Sequence, residues 1–416
     1  MQRCWELLSL TSTGAFAIIK VLDADLAQTV CIYFGVMRGL DTIEDDMTIS
    51  DEVKLPILRA FHSYIVTPGW TFDGCGPNEK HRQLLLDFDN LVEEVNLLAP
   101  ESKSILIDLC RKMGNGMADF AHAIAVAGGT ISLDTIADYE DYGRCVAGLG
   151  FEGLTQLFSA SGREDPWTNT QIELCNSLGL LFQKADIICD YYDDIQEGRY
   201  FWPKEIWARP EFGGFIETKD LHEAGEREEE GAMYALSGMT VDALKHATDA
   251  LDFLLLLKNP GIFHFYAIFA TIAMATLELC FMNSELFKKH ITFRKVDLAR
   301  LLLRSTNLRE VSSIFCEYAR KIQAKTKASD PNFAKILMAC RKIEQWREVR
   351  YPSLGPYTSN REQTQGTLGG VANMMGAVVF ISGAVLVISV LFATGSRQLI
   401  ARLWVWGMRS VGPEFT

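Results

Sequence analysis

Sheet-forming sequence is missing from this chain: no run of alternating β-branched residues stands out in its 416 positions. That excludes a sandwich, a barrel or a doubly wound sheet as the organising architecture. No CxxC pair and no His/Cys ligand spacing occurs among the ten cysteines, which are scattered at 4, 31, 75, 110, 145, 175, 189, 280, 316 and 340. A structural zinc site is therefore not expected. Most of these cysteines fall in apolar helical stretches, where a reduced thiol behaves as a small hydrophobe, and a cytosol-facing globular part follows. Positive charge is in deficit, 40 Lys and Arg against 53 Asp and Glu, for a net charge of −13. With no basic face and interleaved aromatics, nucleic acid is excluded as a partner. An anionic substrate is still open, because metal ions invert the local field. Met1 to Ser12 is short and mixed and does not read as a secretory signal.

What the chain does have is helical periodicity and 48% hydrophobic content, enough for a substantial core. From Thr13 to about Gln345, long periodic segments are separated by short breaks such as Pro68-Gly-Trp and Gly128-Gly. The reading is an all-α, single-domain helical bundle over residues 1–350. Its organising stretch is Arg38-Gly-Leu-Asp41-Thr-Ile-Glu44-Asp45-Asp46, the end of a helix from near Ala24 on which Leu26, Val30, Phe34, Met37 and Leu40 recur. Asp41, Glu44 and Asp45 stand at i, i+3 and i+4, so their carboxylates share a face and repel unless a cation joins them.

A counterpart lies about 150 residues on, Asp186-Ile-Ile-Cys-Asp190-Tyr-Tyr-Asp193-Asp194, again ending an apolar helical run. Two such acidic helix ends facing each other supply oxygen-rich, incompletely filled coordination spheres suited to Mg²⁺ carrying a phosphate substrate. Arg38 and Arg199 fit as phosphate forks beside them. Gln183, one turn before the second cluster, is placed to orient a ligand water, and Phe34, Leu154, Phe158 and Leu181 to wall the site with apolar surface.

Gly148-Leu-Gly150-Phe-Glu-Gly153 matches GxGxxG, but Asp138 to Ala147 reads as helix rather than the strand a dinucleotide turn needs. These glycines are expected to thin a helix wall beside a bulky apolar chain. Glu226-Arg-Glu-Glu-Glu230 is expected to be a solvated run, and His264 a packed residue rather than a ligand. Residues 351–367 are rich in turn formers and read as a linker. Leu368 to Thr394 then carries no charge over 27 residues, more than the roughly 20 that cross a bilayer, and is expected to be a transmembrane helix. Gly369, Gly376 and Gly383 share a face there. The tail, 395–416, carries Arg397, Arg402 and Arg409 with Trp404 and Trp406, an interfacial composition.

Several words together make the chain resemble the squalene synthase family: Leu-Asp41-Thr-Ile-Glu-Asp45-Asp-Met-Thr-Ile-Ser50, Arg111-Lys-Met-Gly-Asn-Gly-Met-Ala118, Val146-Ala-Gly-Leu149, Leu157-Phe-Ser-Ala-Ser161, the Asp190 to Asp194 cluster, and Gly198-Arg-Tyr-Phe-Trp-Pro-Lys-Glu-Ile-Trp207. The resemblance runs from the first residues to about Lys342. It implies an isoprenoid-synthase bundle with helices around a central cavity. It implies head-to-head condensation of two farnesyl diphosphates to presqualene diphosphate and NADPH-dependent reduction to squalene, with Mg²⁺ as the metal. It also implies a monomeric catalytic part facing the cytosol, anchored to the endoplasmic reticulum membrane by its C-terminal helix. On it, Asp41, Glu44, Asp45, Asp190, Asp193 and Asp194 hold metal, and the NADPH-binding segment corresponds to Ile291-Thr-Phe-Arg294-Lys295, with Arg38 contributing.

Several positions depart from the family pattern. A phosphate-binding arginine is Gly14, an arginine before the second cluster is Cys189, an asparagine four before that cluster is Asp186, and the family's basic residue two before Arg294 is Thr292. A tyrosine one turn before Arg38 is Phe34, beside Tyr33. The tyrosine proposed as base is Cys145, which leaves Tyr142, one turn earlier, as the candidate catalytic group. The word Phe-Cys-Ala-Ile-Pro-Gln is Phe265-Tyr-Ala-Ile-Phe-Ala270. Two alternatives stay open: an enzyme that stops at or diverts from presqualene diphosphate, and a non-catalytic membrane-anchored paralogue.

Overall fold

The structure, a computed structural model, describes residues 1–126, 133–223 and 229–352. Every regular element among them is helical. The amino-terminal part comprises α1 (Gln2–Thr11), α2 (Thr13–Ile19), α3 (Ala24–Asp45), α4 (Asp51–Tyr64), α5 (Arg82–Leu86), α6 (Asp89–Leu97) and α7 (Pro100–Val126). The middle part comprises α8 (Ile136–Gly143), α9 (Leu149–Ala160), α10 (Ile172–Cys189), α11 (Tyr191–Gln196), α12 (Lys204–Trp207) and α13 (Asp220–Glu223). Then follow α14 (Glu229–Leu244), α15 (Ala247–Leu256), α16 (Pro260–Cys280), α17 (Lys295–Arg304), α18 (Leu308–Lys325) and α19 (Phe333–Arg350).

On α3 the expected stripe is buried at Leu26, Val30, Met37 and Leu40, while Phe34 is half-buried. Local chemistry sets several boundaries. Thr135 and Asp138 close a capping box at the start of α8, and Asn259 accepts from the amides of Gly261 and Ile262 to open α16 behind Pro260. The helix α10 is central, packed against α9, α14, α15 and α16.

The most apolar element, α16, is long enough to cross a bilayer, but 78% of its most hydropathic window is buried inside the protein. It is the core helix. Burying one of its large side chains stabilises the fold by about 1.5–3 kcal/mol.

The GxGxxG stretch is not a strand-to-helix turn. A π-helical turn, Arg144–Gly148, runs directly into α9. A Cβ on Gly148 would stand 2.0 Å from the Asn176 amide oxygen, and one on Gly153 would stand 2.8 Å from Leu109. The glycines thin the wall, but at Gly148 and Gly153 what they admit is other side chains of the protein, Asn176 and Leu109. His264 is packed as expected, its Nε2 2.8 Å from the Leu302 carbonyl oxygen.

The described residues belong to a unit that runs from Met1 to Tyr357. The expected linker beyond residue 352, the transmembrane helix 368–394 and the tail 395–416 lie outside the described residues, as does most of the 226–230 charge run.

Candidate active site

The two acidic stretches, remote in sequence, end helices whose carboxylates come together around Arg199, across a space termed the cleft. On α3, Asp41, Glu44 and Asp45 occupy the last turn, and Arg38 lies 3.6 Å from Asp41. Two neighbours hold that turn from below. Lys54, buried, donates from Nζ to the Glu44 carbonyl at 2.7 Å, while Asp46 accepts from Thr48 N–H and Gly76 N–H at 2.9 and 2.8 Å. Asp46 thus closes the loop beneath the cluster and is committed to structure.

Asp190 breaks the second run: α10 stops before it and α11 starts after it. The junction is pinned by Tyr191, which donates to the Thr218 carbonyl at 2.8 Å and packs against Trp202 and Phe287 at ring distances of 4.7 and 5.0 Å. At the end of α11, Gly198 takes a left-handed φ of 75°, and Arg199 N–H returns to the Asp194 carbonyl at 2.8 Å. This is a Schellman-type close, and glycine is the residue suited to it.

The turn at Gly198 throws Arg199 back across the cleft. Its guanidinium lies 2.8 Å from Asp194 and 3.4 Å from Asp45. One side chain therefore touches carboxylates of both clusters, which are remote in sequence and adjacent in space. The charge of Arg38 is felt at the second cluster too, opposing the upward push on Asp186.

Electrostatics mark the cleft as short of positive charge. Burial first, then Asp45, raises Asp41 to about 6 against the pull of Arg38. Burial with Asp45 and Asp41 raises Glu44 to about 8. Asp186, although its side chain reaches solvent, is pushed upward by the protein packed around its base and by Asp190 and Asp194. Asp194 rises to about 7, again through burial first, although Arg199 opposes it. Asp190 is raised as well by burial and by Asp193. Burial opposes the charge on Arg199, yet Asp194 and Asp45 hold it above its ordinary value. A carboxylate set that keeps protons despite two arginines is one that divalent cations would relieve. The donors fit a metal of the hard, oxygen-seeking kind.

Tyr142 stands beside the cleft, stacked on Phe201 at 4.9 Å and edge-on to Phe120 at 5.3 Å. Phe201 also receives the Arg199 guanidinium at 6.0 Å, so one ring positions both groups. Burial first, then Glu44 and Asp45, pushes the Tyr142 phenol well above its ordinary value. With the cleft free of cations it is a proton holder and hydrogen-bond donor rather than a base.

Cys145 lies on the π-helical turn, buried against α7, and Glu44 is the charge that acts on it most. Its thiol points to the Met113 carbonyl at 3.8 Å. It fills a notch on α7 where a Cβ on Gly116 would stand 2.2 Å from the sulfur. Burial raises it to about 12, so it is inert.

Gln183 is half-buried near Gly143, one turn ahead of Asp186. The expected apolar walls are found in the packed interior: Leu154, Phe158 and Leu181 are buried, and Phe34 is half-buried. Phe34 meets Phe265 at 6.4 Å, Phe158 meets Phe265 at 5.7 Å, and Phe151 and Phe182 flank Phe269 at 5.4 and 5.2 Å. The interior beside the cleft is thus lined with rings already in contact with one another. Gly14 is different, since a Cβ there would meet nothing within 4 Å.

Arg294 is largely exposed and pairs with Asp297 at 2.6 Å. Lys295 opens α17, and its side chain lies outside the described residues. The segment leading to them begins at the cleft, because His290, four residues earlier, contacts Asp193 through Nδ1. Sequence reasoning missed that histidine as well as Lys80 and His81. Lys80 eases the charge on Asp190. His81, with its Nδ1 unpartnered, is lowered to about 4 by burial, Arg38 and Lys80. Asp186 had a signal, since it stands at i, i+4 and i+8 with Asp190 and Asp194. The other three had none, because loops bring them in.

Comparison with known proteins bears on this geometry. A family profile described as squalene/phytoene synthase matches residues 9–300. The chain is 49% identical over 360 residues to a squalene synthase of Ganoderma lucidum, covering 85% of this chain and 76% of that one. It is 42% identical over 354 residues to the squalene synthase of Schizosaccharomyces pombe, covering 85% and 75%. A solved complex of TcSQS with the ligand BPH1237 superposes with a TM-score of 0.77 at 32% identity, over 84% of this chain and 98% of that one.

Proposed function

The chain belongs to the squalene/phytoene synthase family, and from that premise we propose that it catalyses squalene synthesis. Two farnesyl diphosphates condense head to head to presqualene diphosphate, which is then reduced to squalene with NADPH. The observation that carries this reading is Arg199, whose guanidinium bridges Asp45 of one acidic helix and Asp194 of the other.

Divalent ions, Mg²⁺ by the oxygen character of most donors, supply Lewis-acid neutralisation of the departing pyrophosphate when held by Asp41, Glu44 and Asp45 and by Asp190, Asp193 and Asp194. NADPH supplies the hydride, and Arg38, Arg294 and Lys295 are the cations offered to its phosphates. The remaining work belongs to the chain. Arg38 and Arg199 fork onto phosphate oxygens and fix the leaving group. Tyr142 holds its proton beside Arg199 and donates a hydrogen bond to the same anion. Gln183 orients water at the second cluster. Phe34, Leu154 and Phe158 keep water from the allylic cation, and the neighbouring ring faces favour its charge. The prenyl chains gain room by displacing ring contacts around Phe265 and Phe269.

The uncharged stretch 368–394 supports a membrane anchor, in the endoplasmic reticulum with the catalytic part, a monomer of residues 1–350, facing the cytosol. The test is a product assay by mass on the purified chain with farnesyl diphosphate, Mg²⁺ and NADPH. Squalene is expected, with presqualene diphosphate accumulating when NADPH is left out. Untouched farnesyl diphosphate overturns the enzymatic reading. A product that stops at presqualene diphosphate with NADPH present replaces it by the diverted enzyme, the reading that the inert Cys145 favours.

A further inference from the structure

The second acidic cluster holds a group that the first lacks. One ligating atom from each of Asp190, Asp193 and His290 lies within 4.8 Å of the other two, and this is the one such group of three among the described residues. His290 is half exposed, and its Nδ1 contacts Asp193 Oδ2.

The segment that carries the imidazole is held on both sides of it. Ahead of it, Phe287 is buried, edge-on to Tyr191 at 5.0 Å and to Trp202 at 6.0 Å, and its carbonyl is contacted by His222. Behind it, the carbonyl of Ile291 accepts from the Cys189 thiol at 3.3 Å. The segment carrying His290 is therefore docked on the α10–α11 junction, where Asp190 and Asp193 stand.

Carboxylates and water suit Mg²⁺, whereas an imidazole nitrogen suits transition ions, whose affinity rises from Mn²⁺ through Co²⁺ along the first row. We propose that His290 is a nitrogen ligand at the second acidic cluster, so that this position prefers a transition ion such as Mn²⁺ or Co²⁺ to Mg²⁺, while the α3 cluster binds through oxygen alone. The inference rests on the reading above that both clusters hold divalent ions. On binding, the imidazole exchanges its contact with Asp193 for the ion, and any proton it carries leaves to solvent.

The test uses the full chain with Mn²⁺ and inorganic pyrophosphate. Pulsed electron paramagnetic resonance of the bound Mn²⁺ reads directly coordinated nitrogen, and calorimetry gives the ratio of Mn²⁺ to Mg²⁺ affinity. Nitrogen coupling is expected in the native chain and is lost in His290→Ala. In His290→Asp, Mn²⁺ stays bound without nitrogen coupling, and the affinity ratio falls about tenfold. Because His290 is half exposed, both variants are expected to fold, which circular dichroism checks. Mn²⁺ bound to the native chain without nitrogen coupling, or coupling that persists in His290→Ala, overturns the assignment and leaves the two-cluster reading intact. Failure of the native chain to bind Mn²⁺ with pyrophosphate overturns both.

Discussion

Helix α10 carries charge on two sides, and the two sides are built on opposite principles. Lys184 is almost wholly buried and meets Asp242 at 2.5 Å and Glu140 at 2.9 Å. Lys245 reaches the same two carboxylates, and His246 stands 3.6 Å from Glu140. Every carboxylate in that knot has a cation. His246 first, then Lys245 and Lys184, draws Glu140 well below the usual carboxylate range. Two residues on, Asp186 opens the other side, where carboxylates outnumber cations and are pushed up instead of down. A compensated cluster ties α8, α10 and α14 together. An uncompensated one is stable only when something else brings charge, and that is the mark of a binding site.

Removing charge from the uncompensated side should have the largest effect. Asp41→Asn with Asp190→Asn should lower squalene formation by on the order of 10⁴-fold, since one lost stabilising group typically costs about 10²–10³. The melting temperature of the metal-free protein should stay level or rise, because repulsion is relieved. A fall in melting temperature would mean that the cleft carboxylates hold the fold.

The compensated side should behave in reverse. Lys184→Met leaves Asp242 buried without its nearest cation and should destabilise the protein by about 3–5 kcal/mol in urea unfolding. Turnover per folded molecule should change little.

Acidity separates the two sides with a smaller effect. Asp41, Asp194 and Glu44 have folded-state values raised to between about 6 and 8. Their contribution is present at low pH and is lost as pH rises through those values. Glu140 is lowered, so its contribution is present above its unfolded value and is lost as pH falls. Metal-free protein should therefore lose several degrees of melting temperature between about pH 4, where the unfolded carboxylates titrate, and about pH 8, where the last cleft group has ionised. Mg²⁺ with pyrophosphate should restore them at pH 8 and do little at pH 5.5. Equal stabilisation at both pH values would contradict the charge deficit.

The smallest effect concerns Cys145. With its thiol turned into the Gly116 notch, Cys145→Ala should cost about 1 kcal/mol of stability and leave the product and its rate within about threefold. A large loss of rate would give the sulfur a role in the chemistry that its burial denies it.

The helical architecture was legible because apolar spacing repeats over long segments, and α3 and α10 carry it plainly. The paired acidic helix ends were legible as well, since four-residue spacing places side chains on one face without any knowledge of the fold. Arg199 could be nominated from its neighbours, but its bridge to Asp45 depends on the return at Gly198. Lys80, His81 and His290 were out of reach, because each arrives on a loop whose path is set by distant contacts such as Phe287 against Tyr191. The interior differed in a further way. Phe34 and Phe158 read as cavity walls, while the side chains they meet, Phe265 and Phe269, belong to a helix more than a hundred residues away, and periodicity reports burial without reporting what fills the space.

The burial of α16 has a consequence for biosynthesis. As it leaves the ribosome this segment matches a membrane span in length and greasiness, and one of its principal neighbours, α18, has not yet been made. Until synthesis passes Lys325, the nascent chain exposes a stretch that lipid would accept. Fragments ending between Cys280 and Leu308 should partition into vesicles, and the longer chain earns its water-facing surface only by completing the last helices in time.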